Sequence, residues 1–373
     1  MTLLFNFKRK LIFLLIILFF ISLSNVFAQR KSLVLEPLMQ VPKQYTALKT
    51  MQPMTIDGDD NEAAWNKAPW SDNFVDIEGD PSKRSSQSTR FKLLWDNDYL
   101  YVFARFEEEH IWANLKDHDL PIFQDNAFEI FIDPEGDTQN YVEFQINAFS
   151  TVWDLLLTKA PRSGGASITD WDIKGLKKAV SINGTLNNPN DIDKFWNIEL
   201  AIPHKTFRFG GANSMPKAGN IWKMNLTRVQ RTVEIKDGKY IKKINANGRP
   251  LNPEYTCWSP QGILNFHYPE RWGYVRFADE IPDNLNFLNP ELEELKLKIW
   301  KYFYLQQDFK TRNGKYALNI EQLKKQYPDI SFENAEGIKI SATNSQFNLE
   351  LESSLPDFLI SLDHDGKFLV KRN

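Results

Sequence analysis

The chain has 373 residues, a length that suggests two domains, and its formal net charge of −3 gives no reason to expect a nucleic-acid partner. Hydrophobic residues make up 42% and charged residues 25%, an ordinary balance for a globular protein with a large core. The single cysteine, Cys257, excludes an internal disulfide and a thiol cluster for zinc or iron–sulfur.

The N-terminus has the pattern of an export signal. A basic start at residues 8–10 precedes an apolar run over residues 11–23, and Val26 and Ala28 supply small residues before a cleavage site. We expect residues 1–28 to be a signal peptide and the mature chain to work in the periplasm or outside the cell, with no membrane span left after cleavage. The alternative is an uncleaved anchor, but the apolar run is short for a span. No cysteine follows the run, which argues against a lipoprotein anchor.

Short alternating runs separated by turn residues fill the chain from residue 54 to residue 278. Polar residues and two prolines precede them and predict an N-terminal extension over residues 29–53. The runs FKLLW (91–95) and YLYVFARFEEE (99–109) predict a hairpin, and further strands follow as far as WGYVRF. Because no long amphipathic helix interrupts this segment, the pattern favours a mainly β protein built on an antiparallel β-sandwich.

One hairpin, residues 121–147, carries an apolar face and a polar face. Two period-two runs flank the turn sequence DPEGDTQN. The apolar face predicts sandwich core and consists of Phe128, Ile130, Ile132, Val142, Phe144 and Ile146. The opposite face carries Glu129, Glu143 and Gln145, which meet either water or a ligand.

The pattern changes after Phe277. Residues 279–290 carry prolines and predict a linker, and apolar spacing over residues 292–310 predicts an amphipathic helix. Short alternating runs continue to the C-terminus. Residues 291–373 are therefore predicted to form a small α+β domain, whose role the sequence does not indicate.

Acidic and histidine residues offer two kinds of chemistry. Glu129 and Glu143 face the same side of neighbouring strands, as the acid–base pair of a glycosidase would. No two histidines have the HExxH spacing of a zinc site, although His110 and His118 share a loop with two aspartates. No cofactor is required by the pattern, but Ca²⁺ is a ligand that acidic turns of extracellular β-sandwiches could hold. The candidate ligand sets are Asp57, Asp59 and Asp60, or Asp133, Glu135 and Asp137.

Several stretches together resemble the carbohydrate-binding module family 9-like domain, a β-sandwich related to the DOMON group. They are IDGDDNEAAW, KLLWDNDYLYVFARF, FQDNAFEIFIDPEGD, YVEFQINAFSTVWDLLL, FWNIELAIP, WKMNLTRVQR and the closing WGYVRF. Their order covers residues 54–278, and the signal peptide with NAFSTVWDLLL, WDIKGLKKAV and WSPQG resembles secreted members from Bacteroidetes-type bacteria. The high aromatic content, 13% with 11 Trp and 27 Phe, suits proteins that stack aromatic rings on sugars.

The resemblance implies a set of sugar-contacting residues. The family's first clamp aromatic falls on Phe123, and its strand carboxylate falls on Glu129. Its next arginine falls on Gln145, a departure that removes a charged donor. The family's strand amide falls near Thr227, with Arg228 beside it. The second clamp tryptophan falls near Phe266 and His267, and Trp258 is the nearest tryptophan.

The expected function is non-catalytic binding of the end of an oligo- or polysaccharide in polysaccharide catabolism. Phe123 and either Trp258 or His267 would stack on the sugar, and Glu129, Gln145 and Arg228 would bond its hydroxyls. The alternatives are a glycoside hydrolase that uses Glu129 and Glu143, a haem-binding DOMON-like electron-transfer domain, and a surface-assembly protein. The sequence leaves the sugar and the oligomeric state open.

Overall fold

The computed structural model describes residues 33–83, 85, 87–213, 215–333, 336–352 and 358–372, so the expected signal peptide lies outside the described residues. The alternating runs form strands at the expected places. These strands are β1 (Gln44–Lys49), β2 (Val75–Asp76), β3 (Thr89–Trp95), β4 (Tyr99–Glu107), β5 (Ala127–Asp133), β6 (Gln139–Asn147), β7 (Val152–Lys159), β8 (Ser167–Ile168), β9 (Lys177–Asn183), β10 (Phe195–Pro203), β11 (Ile221–Gln230), β12 (Val233–Lys236), β13 (Lys239–Lys242), β14 (Glu254–Cys257) and β15 (Gly273–Ala278). Short 3₁₀ helices lie at Glu36–Met39, Ile122–Gln124, Pro161–Ser163, His204–Asn213 and Pro269–Arg271.

One hydrogen-bonded path joins most of these strands. Its order is β8-β7-β6-β5-β11-β15-β1-β3-β4-β10-β9, and β14 pairs beside it with β11 and β2. Neighbours on the path are antiparallel except at β1, which runs parallel to both β15 and β3. Strand β1 lies in the segment predicted as an N-terminal extension. It therefore connects an antiparallel layer that ends in β15 to a second layer that begins with β3.

The two layers enclose a common hydrophobic core. The rings of Phe106 on β4 and Phe128 on β5 lie 5.2 Å apart between centroids, although their strands belong to different layers. Trp95 on β3 and Phe277 on β15 make a similar contact at 5.7 Å. Aromatic side chains dominate this core because each removes a large apolar area from water. The predicted mainly β sandwich is confirmed.

The hairpin of β5 and β6 has the register that its alternation predicts. Glu129 lies opposite Gln145, and Phe131 lies opposite Glu143. The apolar face is buried in the sandwich core, with Phe128 and Ile146 fully enclosed. The second face points away from this core, and its polar side chains are also buried. They are therefore covered by something other than the opposite layer.

The C-terminal part is a small α+β arrangement, as predicted. Helix α1 (Pro290–Asn313) begins after Asn289, whose side chain accepts two backbone N–H bonds, and a shorter helix, α2 (Ile320–Gln326), follows. The four antiparallel strands are β16 (Ile338–Ala342), β17 (Phe347–Glu352), β18 (Phe358–Asp363) and β19 (Phe368–Arg372). In the described part of the chain, no helix is long and apolar enough to cross a membrane.

The C-terminal elements bond directly to the sandwich. The Tyr304 hydroxyl on α1 donates to Glu270 Oε1 at 2.7 Å, and the Tyr274 hydroxyl on β15 donates to Glu293 Oε2 at 2.7 Å. Arg162, which follows β7, pairs with Glu270 at 2.8 Å and lies over the Tyr268 ring. All these contacts fall within one compact unit that begins at Leu35.

Candidate functional site

Four side chains form a polar floor on the outer face of β5, β6 and β11. This floor consists of Glu129, Glu143, Gln145 and Thr227. Thr227 Oγ1 donates to Glu129 Oε2 at 3.0 Å, and Gln145 Nε2 donates to Glu143 Oε1 at 2.7 Å. Period-two alternation brings them together, since Glu129 lies opposite both Gln145 and Thr227 in the two ladders.

Gln145 connects the floor to the segment before β5. Its Oε1 accepts the backbone N–H of Phe123 at 2.8 Å, while its Nε2 donates to Glu143. The carbonyl of Phe123 in turn accepts from Arg231, at 2.8 Å from Nη2. Both backbone groups of Phe123 are therefore held by side chains, which fixes the backbone from which its ring projects.

Aromatic side chains cover the polar floor. This aromatic rim consists of Phe123, Trp153, Tyr255 and Phe266. The Phe123 and Trp153 rings lie 6.0 Å apart and are tilted by 34°, and Tyr255 contacts Phe266 at 5.5 Å. Trp153 and Phe266 each pack on both small apolar clusters that flank Glu129 along β5. The rim is why Glu129 and Gln145 are each only 2% exposed.

The rim has an exposed ring and an unused donor. Phe123 is 36% exposed, whereas the other three rings are partly buried. The indole Nε1 of Trp153 is buried and makes no hydrogen bond with any described residue. Because a buried N–H without an acceptor is costly, this donor suits a ligand oxygen.

Burial controls the charges of the floor. It raises the pKa of Glu129, and the nearby Glu143 carboxylate raises it further, while the Thr227 bond and Arg231 lower it. Burial also raises the pKa of Glu143, against the effect of its bond from Gln145. The pair therefore does not carry two full negative charges at neutral pH. A protonated carboxyl donates one hydrogen bond and an ionised one only accepts, so together they match hydroxyl groups, which do both.

His267 lies at the edge of the floor. Its Nδ1 is 3.0 Å from the Tyr141 hydroxyl, and its Nε2 is 3.8 Å from Glu143 Oε2. Burial lowers the pKa of His267 to about 4, helped by the positive charge of Arg162, so the ring is neutral at physiological pH. Of the six residues predicted to bind a ligand, the structure brings Phe123, Glu129, Gln145 and His267 together. Their binding role stays a prediction.

Arg228 requires a correction, because it does not lie with these residues. It is 2% exposed and points to the opposite side of β11 from Thr227, where it bonds Glu108 Oε2 at 3.1 Å and Thr89 Oγ1 at 3.0 Å. A side chain enclosed in the sandwich in this way cannot reach a sugar on the outer face.

Trp258 requires the same correction. It is 1% exposed and belongs to the sandwich core, where its ring meets the Phe91 ring edge-on at 5.2 Å and the Tyr45 ring at 6.3 Å. Gly273 leaves room for the Trp258 ring, because a Cβ at position 273 would lie 2.2 Å from Cζ3 of Trp258. Trp258 is therefore a packing residue and not a clamp for a sugar.

Two residues of this site were not predicted as ligand contacts. Arg231 follows the end of β11 and continues the alternation Thr227, Val229, Arg231 on the outer face, so period two could have identified it. Its guanidinium donates to the Phe123 carbonyl at the edge of the site. Trp153 lies opposite Gln145 in the ladder of β6 and β7, which the sequence could have shown only with the strand register known.

The acids predicted as calcium ligands do not form a ligand set. Both Asp133 oxygens accept backbone N–H groups of the turn, from Gly136 and from Thr138 at 2.8 Å each. Asp137 accepts from the backbone of Gln139, and Glu135 lies beside them. Within the described residues, the ligand atoms of Asp133, Glu135 and Asp137 do not gather closely enough to hold an ion. Asp133 and Asp137 instead stabilise the β5–β6 turn, and calcium binding by this protein stays a prediction.

Comparison with known proteins supports the class that this fold suggests. The family model described as carbohydrate family 9 binding domain-like matches residues 56–175. The matched segment includes Phe123, Glu129, Gln145 and Trp153. The match agrees with the resemblance found in the sequence. No curated protein matches the chain significantly.

Three solved structures are similar to this chain at 17% sequence identity each. A family 9 carbohydrate-binding module from Caldicellulosiruptor kristjanssonii in complex with cellotriose aligns over 66% of this chain and 98% of its own, with a TM-score of 0.40. The glucose complex of a family 9 module from the same organism aligns over 65% and 100%, also with a TM-score of 0.40. A candidate carbohydrate-binding protein from Bacteroides uniformis aligns over 64% and 100%, with a TM-score of 0.46.

Proposed function

We propose that this protein binds carbohydrate without cleaving it, at the aromatic rim above the polar floor. The observation that carries the proposal is a row of hydrogen-bonding side chains beneath aromatic rings, on the outer face of the domain that matches the family 9 model. Aromatic faces stack on the C–H faces of pyranose rings, and polar side chains beside them select hydroxyl positions.

The contacts of the rim assign roles. Phe123 and Trp153 would form an adjacent stacking platform and not a two-sided clamp. Rings on both sides of a sugar need about 7 to 8 Å between them at ordinary carbon contact distances, and these two lie 6.0 Å apart. Arg231 and the Trp153 N–H supply donors. Glu129 and Gln145 are 2% exposed, so they would reach hydroxyls only where a ligand enters between the rings of the rim.

The N-terminal pattern of residues 1–28 supports export of the mature chain, which is part of the proposal. A periplasmic or extracellular binding protein would hold the end of an oligo- or polysaccharide for other proteins that degrade it. The polar floor suits the end of a sugar chain because a terminal residue presents more free hydroxyl groups than an internal one.

Glycoside hydrolysis is the second candidate, and one observation favours it. Glu129 and Glu143 occupy diagonal positions on the same face of adjacent strands. The charge of Glu143 raises the pKa of Glu129, and burial raises both pKa values, as the paired carboxyl groups of a glycosidase require. Against it, each carboxyl is bonded to a neighbouring side chain and buried beneath the rim.

A glycan array on the mature protein tests the proposal. Phe123→Ala should weaken binding by about tenfold or more, the usual loss for a central aromatic contact. Phe209→Ala is the matched control, since Phe209 is 37% exposed and lies away from the site against Trp171. Equal losses in the two variants, or no binding to any glycan, would contradict the proposal.

Carboxyl variants separate binding from catalysis. Glu129→Gln keeps the acceptor for Thr227 and should alter the affinity for carbohydrate. Glu199→Gln is the control and should leave that affinity unchanged, because Glu199 is a fully buried strand residue bonded to Trp65. Release of reducing ends from a bound glycan, abolished by Glu143→Gln, would establish the glycosidase instead.

A further inference from the structure

A second cluster of ionisable side chains lies outside the carbohydrate site. The His118 cluster consists of His118, Asp119, Asp154 and Asp172, and their four ligand atoms all lie within 4.8 Å of one another. From His118 Nε2, the aspartate oxygens of residues 172, 119 and 154 are at 2.9, 3.5 and 3.8 Å. Three separate segments supply them: the loop after β4, strand β7 and the loop after β8.

Asp154 is the buried member of the His118 cluster. Its side chain is 3% exposed, and its Oδ2 accepts the backbone N–H of Ile173 at 2.5 Å. Its Oδ1 is buried, makes no hydrogen bond with any residue that the structure describes, and faces His118. A buried carboxylate oxygen without a partner costs free energy, so this atom needs a cation or a proton donor.

The orientation of His118 leaves a lone pair for a cation. Its Nδ1 lies 3.0 Å from the carbonyl oxygen of Val152, which can only accept, so Nδ1 carries a hydrogen. In the neutral ring Nε2 then has a lone pair directed at three carboxylates. A carbonyl that fixes the tautomer from behind is the arrangement that orients histidine ligands in metal sites.

Among the described residues, no lysine forms an ion pair with these aspartates, although Lys178 lies near enough for the charge of Asp154 to act on its pKa. Lys116 Nζ lies over the Phe149 ring at 4.7 Å, and Lys178 donates to the carbonyl of Ser150. The competing explanation is a protonated His118 that bridges the three aspartates. The bond to Asp172 raises the pKa of His118, followed by the charge of Asp119, and so supports that state.

We propose that the His118 cluster binds a divalent transition-metal ion such as Zn²⁺ or Mn²⁺. Tetrahedral zinc with bonds of about 2.1 Å separates its ligand atoms by about 3.4 Å. The three distances from Nε2, 2.9 to 3.8 Å, bracket that value. Calcium prefers six to eight oxygen ligands, whereas an imidazole nitrogen with carboxylates suits zinc or manganese.

The ion would fasten the loops that carry the candidate sugar site. Asp154 is adjacent to Trp153 of the aromatic rim, and the backbone N–H of Asp119 donates to the carbonyl of Val152 at 3.1 Å. The same loop continues from Asp119 to Phe123. A metal here would fix both stacking residues from behind without contacting the sugar.

Calorimetric titration of the chelator-treated mature protein with Zn²⁺, Mn²⁺ and Ca²⁺ tests the proposal. One Zn²⁺ or Mn²⁺ should bind per chain, and Asp154→Asn and Asp172→Asn should each weaken binding by tenfold or more. Asp154→Asn keeps an acceptor for Ile173, and Asp172 is half exposed, so at least the second variant should fold normally. Asp170→Asn, an exposed aspartate on the same loop, is the matched control and should bind as the wild type does.

Three outcomes would overturn the proposal. They are the absence of saturable Zn²⁺ or Mn²⁺ binding, binding that survives Asp172→Asn unchanged, and binding of Ca²⁺ in preference to both transition metals. The first would leave the protonated histidine bridge as the explanation of the cluster.

Discussion

Replacing Arg228 with methionine distinguishes a buried structural arginine from a sugar ligand. The guanidinium donates to Thr89, Gln87, the Glu107 carbonyl and Glu108 at 3.0 to 3.1 Å, and only 2% of the side chain is exposed. Arg228→Met leaves Glu108 buried without its cation. Removing one partner of a buried pair costs about 3 to 5 kcal/mol, so we expect the free energy of unfolding to fall by that amount.

A double variant shows whether the lost pair explains the cost. Arg228→Met with Glu108→Gln removes both charges, while the Gln side chain can still accept from Trp196 Nε1, now 2.8 Å from the Glu108 carboxyl. Exchange of a whole buried pair for uncharged groups is often neutral, so the double variant should recover most of the stability lost in Arg228→Met. Urea denaturation followed by tryptophan fluorescence measures all three proteins and the wild type.

Carbohydrate affinity completes the test of Arg228. Arg228→Lys keeps the positive charge, and its folded form should bind glycans as the wild type does, because the side chain lies on the core side of β11. Two results together would show that the structural assignment of Arg228 is wrong. The free energy of unfolding of Arg228→Met would lie within about 1 kcal/mol of the wild-type value, well below the expected cost, and the variant would lose glycan binding.

Other predictions concern the pH response, the core and the C-terminal contact. Burial raises the folded-state pKa of Glu129, so its contribution to stability is present below the ordinary glutamate pKa and is lost as the pH rises towards the folded value. The slope is at most about 1.4 kcal/mol per pH unit. The free energy of unfolding of Glu129→Gln, measured relative to that of the wild type, should therefore rise from pH 5 to pH 8. A pH-independent difference in urea denaturation would contradict this. Gly273→Ala would place a Cβ 2.2 Å from the Trp258 ring. The strain should lower the free energy of unfolding in guanidinium by about 1 to 3 kcal/mol, and a smaller loss than the error of the measurement would show that the core repacks freely. Arg162→Met removes the cation that pairs with Glu270 at 2.8 Å, and hydrogen exchange should become faster in α1 but not in β3 and β4; unchanged exchange in α1 would mean that this ion pair does not hold the helix.

Local patterns predicted the elements better than they predicted the site. Period-two alternation placed Glu129 and Gln145 on one face because a strand reverses its side chains at every residue. The same rule places Arg228 on the other face of β11 from Thr227. The family resemblance nevertheless suggested Arg228 as a sugar contact because it is adjacent to Thr227 in the chain. Helix α1 was predicted over residues 292–310 and extends to Pro290–Asn313, where Asn289 and Gly314 end it.

The remaining features depend on contacts between distant segments. Trp258 follows a short strand and has the flanking sequence of a loop residue, but packing against Tyr45 and Phe91 encloses it. The rim requires the register of β6 with β7, which brings Trp153 opposite Gln145. The His118 cluster joins residues 54 positions apart in the chain through the bond to Asp172. None of these pairings leaves a local signal in the sequence.

Strand β1 determines where this domain can be cut. The family 9 match begins at residue 56, after β1 has ended at Lys49. A fragment made to that boundary would lose the strand between β3 and β15 and leave two rows of unpaired N–H and C=O groups facing one gap. Open edges of this kind recruit strands from other molecules. Such a fragment should aggregate or exchange strands, and a peptide of residues 44–49 added in trans should restore the monomer by completing the sheet.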